Sequence, residues 1–252
     1  MLLNKQILLN KTCIVIENNI NFNVRTKIKL KERKEMKHLE TILESGIFSE
    51  INKSDYIIAF ESFEITSEKF KRDEVIFSSG EVIDKICIVE KGRVREERVY
   101  EDGEVCIIHT FGANSIFALE TVVSRKKTAA VDYVCSEDSS IVYIPYKNIE
   151  KSKWSREIMK FLLQELADGN FRNMYKINIL ARRSVRERIL LYLNHLKKRT
   201  ESSEIDVKMD REQMAQFLCV NRSSLSNKLN QLKREGIINF QKNKFIILKQ
   251  LE

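Results

Sequence analysis

The chain has 252 residues, 43% of them hydrophobic, enough for two domains with real cores plus extensions. No apolar run reaches the roughly 18 residues of a membrane span, and the opening Met1-Leu2-Leu3-Asn4-Lys5 lacks a signal-peptide core and cleavage site, so a soluble, cytoplasmic protein without a membrane partner is expected. The net charge of +8 divides into +5 over residues 1–35, −4 over 36–182 and +7 over 183–252, the pattern of an acidic unit beside a basic, nucleic-acid-binding one.

The five cysteines (Cys13, Cys87, Cys106, Cys135, Cys219) contain no CxxC pair, which argues against a zinc ribbon and a disulfide scaffold. The three histidines (His38, His109, His195) sit in separate segments. Neither a metal site nor a catalytic nucleophile–base pair follows from spacing, and an enzyme is not expected.

Residues 1–35 form a basic extension. Ile7–Leu9 and Cys13–Ile16 read as strand, and residues 27–35 are a basic run. One reading is an arm that touches DNA or a partner. The other is a misassigned start: Lys31-Glu32-Arg33-Lys34-Glu35 needs purine-rich codons, as a translated ribosome-binding site ahead of Met36 would supply.

Residues 36–150 form the next unit. Gly80, Gly92, Gly103 and Gly112 bracket three alternating segments, Ile83–Val89, Val94–Tyr100 and Val105–Phe111. Ala129–Cys135 and Ser140–Ile144 add strands, with Pro145 closing the last. Short strands at such regular spacing predict an antiparallel sandwich or roll.

Residues 151–182 follow, and Ser155 to Arg182 contain one glycine and no proline, a helix of roughly 40 Å. Leu163, Ala167, Asn170, Met174, Ile177 and Ala181 recur at coiled-coil spacing, the seam of a parallel dimer in which Asn170 sets register. The alternative is a stripe packed on the roll, a role that Trp154, Phe161 and Leu162 can fill from another face.

Residues 183–252 read as helix, turn, helix and two strands. Asp210 and Gln213 fit a capping box, followed by Met214, Phe217 and Leu218 on one apolar face. Ala215 admits a second helix closely, Cys219-Val220 make the turn, and Asn221 caps the next helix. Leu225, Leu229 and Leu232 face inward. Arg222, Ser223, Ser226, Asn227, Asn230 and Lys233 face outward with the short donors and acceptors that base edges and phosphates require. Gly236 ends the helix. Ile237 to Phe240 and Phe245 to Leu248 form a hairpin whose turn places Lys242 and Lys244 for phosphate. This order is the plan of a winged helix-turn-helix.

The runs ILARRSVRERILLYL (179–193) and DREQMAQFLCVNRSSLSNKLNQLKREGII (210–238) resemble the hinge and the helix-turn-helix of the Crp/Fnr family of bacterial regulators, and the resemblance extends over about residues 36–252. It implies an α+β fold: an N-terminal antiparallel β-roll (jelly-roll-like), a long dimerisation helix and a C-terminal winged helix-turn-helix. It puts Arg222, Ser223, Ser226 and Asn227 at base-reading positions, with Asp210, Arg211, Asn221 and Ser224 near the DNA backbone. Members that read TGTGA- or TTGAT-type half-sites usually carry Glu where this chain has Ser223 and Arg where it has Asn227, so a different operator is expected. Cyclic-nucleotide-binding members show Phe-Gly-Glu and Arg-Ser/Thr-Ala. This chain has Phe117-Ala118-Leu119-Glu120 and Lys127-Thr128-Ala129, and lysine lacks arginine's planar fork. Phe117, Glu120, Lys127 and Thr128 are therefore candidates for an unidentified small effector other than cyclic AMP, and no cofactor is implied. Only Cys13 lies where some members hold an iron–sulfur cluster. The expected partners are double-stranded DNA with a roughly palindromic operator, a second copy of the chain, and RNA polymerase. The competing readings are a redox, gas or haem sensor of the same fold, using a thiol such as Cys106 or Cys135, and a ligand-binding module that does not bind DNA.

Overall fold

The computed structural model describes residues 33–249. The strands expected at Ile7–Leu9 and Cys13–Ile16, and most of the basic run, lie outside the described residues. The chain enters through helix α1 (Arg33–Ser45), a 3-10 turn (Lys53–Asp55) and helix α2 (Tyr56–Ser62). Eight strands follow: β1 (Thr66–Phe70), β2 (Val75–Phe77), β3 (Lys85–Lys91), β4 (Val94–Val99), β5 (Val105–Phe111), β6 (Ile116–Phe117), β7 (Asp132–Cys135) and β8 (Ser139–Pro145). A short helix α3 (Leu119–Val123) interrupts them after β6.

They form two four-stranded antiparallel sheets, ordered β1-β8-β3-β6 and β2-β7-β4-β5. The roll expected from the glycine spacing is present: β5 falls at Val105–Phe111 as expected, and the other strand ends lie within three residues of the expected ones. β8 is buried from Ser139 to Ile144, because one face meets the opposing sheet and the other meets helices. That accounts for its near-continuous apolar run in place of alternation. Gly92 turns β3 into β4 at φ +90°, where a Cβ would lie 2.3 Å from the Ser139 hydroxyl and 2.7 Å from the Asp138 carbonyl. A buried polar chain fastens α1 to this sheet. The ring nitrogens of His38 meet the Glu90 carboxylate at 2.7 Å and the Ser67 hydroxyl at 3.1 Å, and Ser140 donates to Glu90 at 2.7 Å.

After helix α4 (Tyr146–Glu150), the long helix α5 runs from Ser155 to Leu180. Its first turns supply Ile158 and Leu162 to the roll's core, and its end supplies Ile179 to a separate second core. Helix α6 (Val185–Thr200) starts on a capping box of Ser184 and Glu187, so the chain breaks between Leu180 and Ser184, at the expected hinge. Strand β9 (Glu204–Asp206), helices α7 (Arg211–Leu218) and α8 (Arg222–Arg234), and strands β10 (Ile238–Gln241) and β11 (Lys244–Ile247) complete the C-terminal unit. Its small sheet is ordered β10-β11-β9. Among the described residues, no helix is long and apolar enough to cross a membrane.

Replacing Gly92 with alanine combines the left-handed backbone with a collision against Asp138 and Ser139. It should cost about 1–3 kcal/mol or more and lower the thermal unfolding midpoint. A Gly103→Ala control, where nothing lies within 4 Å of the added Cβ, should cost less.

Candidate nucleic-acid interface and effector cavity

Helix α7 begins on Asp210, whose carboxylate accepts from Gln213 N–H at 2.9 Å while Gln213 Oε1 accepts from Asp210 N–H at 3.1 Å. It ends on Cys219 in the left-handed conformation (φ 48°), and the chain then re-enters helix α8 at Asn221. Asn221 Oδ1 accepts from the Ser223 N–H at 3.0 Å and from the Ser223 hydroxyl at 2.5 Å. The Ser223 proton is thus held by the cap, leaving its oxygen lone pairs for a partner. Leu225, Leu229 and Leu232 are fully buried, which orients the helix.

The outer face of α8 presents Arg222, Ser223, Asn227, Asn230 and Lys233 exposed, with Ser224 and Ser226 half-buried. Arg222 leans towards Glu212 of α7 at 3.6 Å, with both side chains more than half exposed. Arg211 serves the wing: it donates to the Lys242 carbonyl at 3.2 Å, and its guanidinium lies 5.2 Å from the Phe240 ring centroid. The β10–β11 turn carries half-buried Lys242 and exposed Lys244. Base-reading candidates and wing lysines thus share one unit built from α7, α8 and the hairpin.

A cavity of about 260 Å³ lies between β4, β5, the β6–α3 corner and the middle of α5. Phe117 and Glu120 line it, together with Glu96, His109, Glu165, Asn170, Arg172 and Asn173. Lys127 and Thr128 are not among its lining residues. The Lys127 ammonium sits 5.4 Å from the Tyr146 ring centroid, and Thr128 donates to the Lys126 carbonyl at 3.0 Å. Glu120 accepts from the Tyr133 hydroxyl at 2.7 Å. Burial, and then the neighbouring Glu120, pushes the Glu96 carboxyl up to about 8, so at neutral pH it is largely an acid that can donate. Burial also lowers the basicity of His109, whose Nε2 lies 2.6 Å from Asn173 Oδ1; a neutral ring donating there joins β5 to α5.

Glu96, His109 and Asn173 were not marked by the sequence. A register shift between Glu96 and Glu97 breaks the period of two along β4, so alternation could not say which of the adjacent glutamates faces the cavity. Among the described residues, no group of three or more His, Cys, Asp or Glu is placed to hold a metal ion.

Comparison with known proteins agrees with both halves. A cyclic nucleotide-binding domain model matches residues 67–152, and a Crp-like helix-turn-helix domain model matches residues 187–252. The global nitrogen regulator of a Nostoc species is 23% identical over 189 residues, 72% of this chain and 85% of that protein. Among solved structures, FixK2 from Bradyrhizobium japonicum aligns with a TM-score of 0.63 at 19% identity, covering 73% of this chain and 93% of that one. CooA from Carboxydothermus hydrogenoformans, in a mutant form, aligns with a TM-score of 0.63 at 21% identity, covering 75% and 85%. Fold and site define a DNA-binding transcription regulator with an effector-binding domain. The chain belongs to the Crp/Fnr family.

The raised Glu96 gives the fold a pH signature. Between about 4.5 and 8 the unfolded chain has released this proton while the native chain keeps it, so the Glu96 contribution to stability falls as pH rises through that window and levels off above it. Glu96→Gln removes the titration. The difference in unfolding midpoint between variant and native chain should move in the variant's favour from pH 5 to pH 8.5.

Proposed function

We propose that the chain is a cytoplasmic homodimeric regulator that binds a roughly palindromic operator and responds to a small polar effector other than cyclic AMP. In this reading residues 36–150 are the sensor, 151–182 the dimerisation helix and 183–252 the DNA-binding domain, with 1–35 as an extension. The observation that carries it is the outer stripe of α5. Leu163, Met174 and Ile177 are 68%, 53% and 64% exposed, and Ala167, Asn170 and Ala181 on the same seam are exposed too. Apolar side chains at coiled-coil spacing gain by burial against their own copy, about 25 cal/mol per Å² of apolar surface. A two-fold dimer sets two recognition helices about one DNA turn apart.

The cavity supports the effector reading. Glu96, Glu120 and Glu165 face it against the single cation Arg172, a poor setting for a cyclic phosphate, which wants a charge-assisted fork. Lys127, where an arginine would stand, is engaged with Tyr146. A polar molecule that accepts from Glu96 and bridges β5 to α5 fits better. Its binding would change the packing of roll against helix and act on the 181–184 hinge, shifting the population in which both half-sites are engaged together.

Ile177→Asp should yield a monomer by light scattering and lower affinity for a two-half-site duplex at least about 100-fold, the avidity that pairing supplies. An unchanged dimer would sink the seam. Arg222→Ala or Asn227→Ala should cost about 1–3 kcal/mol on the preferred duplex, selected from random sequence, and relax preference at one base pair. Lys244→Ala should weaken binding to all duplexes alike and reduce the salt dependence.

A further inference from the structure

Two of the described cysteines meet across the domain boundary. Cys106 on β5 and Cys219 in the turn between α7 and α8 are 113 residues apart, and their sulfurs lie 2.9 Å from each other. We propose that this pair is an oxidation site for a peroxide, and that the resulting disulfide locks the helix-turn-helix against the roll and lowers DNA affinity. The second part rests on the DNA-binding reading above.

The geometry is close to that of a bond: from 2.9 Å the sulfurs need to approach by less than about 1 Å to reach the disulfide length. Access differs sharply among the described thiols. Cys219 is exposed and Cys106 half-buried, whereas Cys87 and Cys135 are enclosed. The position of Cys219 is also unusual, because the left-handed conformation closing a helix ordinarily falls to glycine or asparagine, and here a cysteine holds it at φ 48°. The surroundings favour a thiolate there. The Cys106 thiol donates to it, and the cations of Lys176 and Arg188 add to this, holding Cys219 down to about 6. Arg188 is fixed in place by bonds to the Leu218 and Cys219 carbonyls at 3.1 and 2.9 Å. The same contact pushes the Cys106 thiol up, which makes Cys219 the nucleophile and Cys106 the resolving thiol.

The Cys219 thiolate attacks one peroxide oxygen and breaks the O–O bond, giving a sulfenic acid and a hydroxide that takes a proton from water-exchanged solvent to become water. The Cys106 sulfur then attacks the Cys219 sulfur. The S–O bond breaks, the departing hydroxide takes the Cys106 proton, and a second water leaves. Two thiols are oxidised to one disulfide and one peroxide is reduced to two waters.

The consequence follows from what the bond would hold in place. Helix α7 packs against β5, and the β4–β5 turn carries Glu101, Asp102 and Glu104, with the Glu104 charge felt at Cys219. Asn221, the start of the recognition helix, is two residues further on. The docked arrangement keeps the Glu104 carboxylate near Cys219, two residues before the end of α8 that would meet phosphate, and like charge there opposes DNA.

The test treats the full reduced chain with hydrogen peroxide, maps disulfides by mass spectrometry, and measures affinity for the duplex that the reduced chain selects from random sequence. The proposal expects a peptide joining Cys106 to Cys219, an affinity loss between about 5- and 150-fold, and recovery with dithiothreitol. Cys106→Ser should bind like the native chain when reduced and should keep its affinity after peroxide. Absence of the Cys106–Cys219 cross-link, or a disulfide between two Cys219 residues of separate chains, overturns the pair. An equal peroxide effect in Cys106→Ser, or a mapped disulfide with unchanged affinity, overturns the lock. If the reduced chain selects no duplex, the DNA-binding reading fails instead, and cross-link mapping decides the pair by itself.

Discussion

The ammonium of Lys176 holds the three parts of this molecule at one point. It projects from α5, is 6% exposed, and donates to the Ile107 carbonyl of β5 at 3.0 Å and to the Phe217 carbonyl of α7. It also lies 3.4 Å from the Phe217 ring centroid. Among the described residues no carboxylate pairs with it, and burial pulls its pKa down to about 8. Enclosing an ammonium costs several kcal/mol, offset here by two carbonyl dipoles, an aromatic face and the attraction of the neighbouring Cys219 sulfur. Both carbonyls are exposed to water if the domains part, and so is the charge. The cost of burial and the bonds that offset it act in opposite directions, which would suit a contact that opens and closes.

One further contact across the boundary is an exposed ion pair. The Arg72–Asp210 pair at 3.6 Å joins side chains that are 60% and 49% exposed, worth about 0–1 kcal/mol. The apolar cores do not cross. One closes under the roll with Ile158 and Leu162 of α5, and the other closes around Ile179, Leu193, Leu218 and Leu229. Each unit is stable by its own burial, and α5 is the rod shared between them. Its middle has two uses: Glu165 and Asn173 look into the cavity, Leu163, Met174 and Ile177 stay exposed on the outer stripe, and Asn170 of that stripe borders the cavity as well. A ligand that moves the inner side of this rod acts directly on the side proposed to pair.

Much of this was legible in sequence because it rests on local chemistry. The capping residues Asp210 and Asn221, the inward Leu225-Leu229-Leu232 row and the break before Ser184 each follow from one turn of chain. The strands came through where glycines punctuate an alternation. What sequence could not show depends on three-dimensional register. β1 has an exposed, polar surface apart from Phe70 and gives no clear period, whereas α1 carries Leu39, Ile42 and Leu43 at helical spacing and was open to the same periodic reading as α7 and α8. The β4 irregularity hid Glu96. Lys176 stands one residue from the Ile177 seam position and reads as an ordinary solvated lysine. Cys106 and Cys219 were correctly seen as lacking a CxxC partner, but spacing along the chain cannot show that folding sets their sulfurs 2.9 Å apart.

The recognition helix shows how a local constraint can narrow specificity. With its hydroxyl proton held by Asn221 at 2.5 Å, Ser223 would meet a base edge as an acceptor under the proposed reading, which suits the amino groups of adenine or cytosine more than the N7 and O6 of guanine. Freeing the proton would cost that one hydrogen bond, about 1 kcal/mol, and leave the cap on the Ser223 N–H in place. Guanine recognition would then fall to Arg222, whose restraint by Glu212 at 3.6 Å is loose and exposed, while Asn227 and Asn230 would supply the two-ended amides suited to adenine. Thus the departure from the familiar family pattern at Ser223 and Asn227 replaces an acid and a cation with groups that are uncharged. On the proposed reading, base discrimination would shift towards neutral hydrogen bonding, and the wing lysines would carry more of the attraction to phosphate.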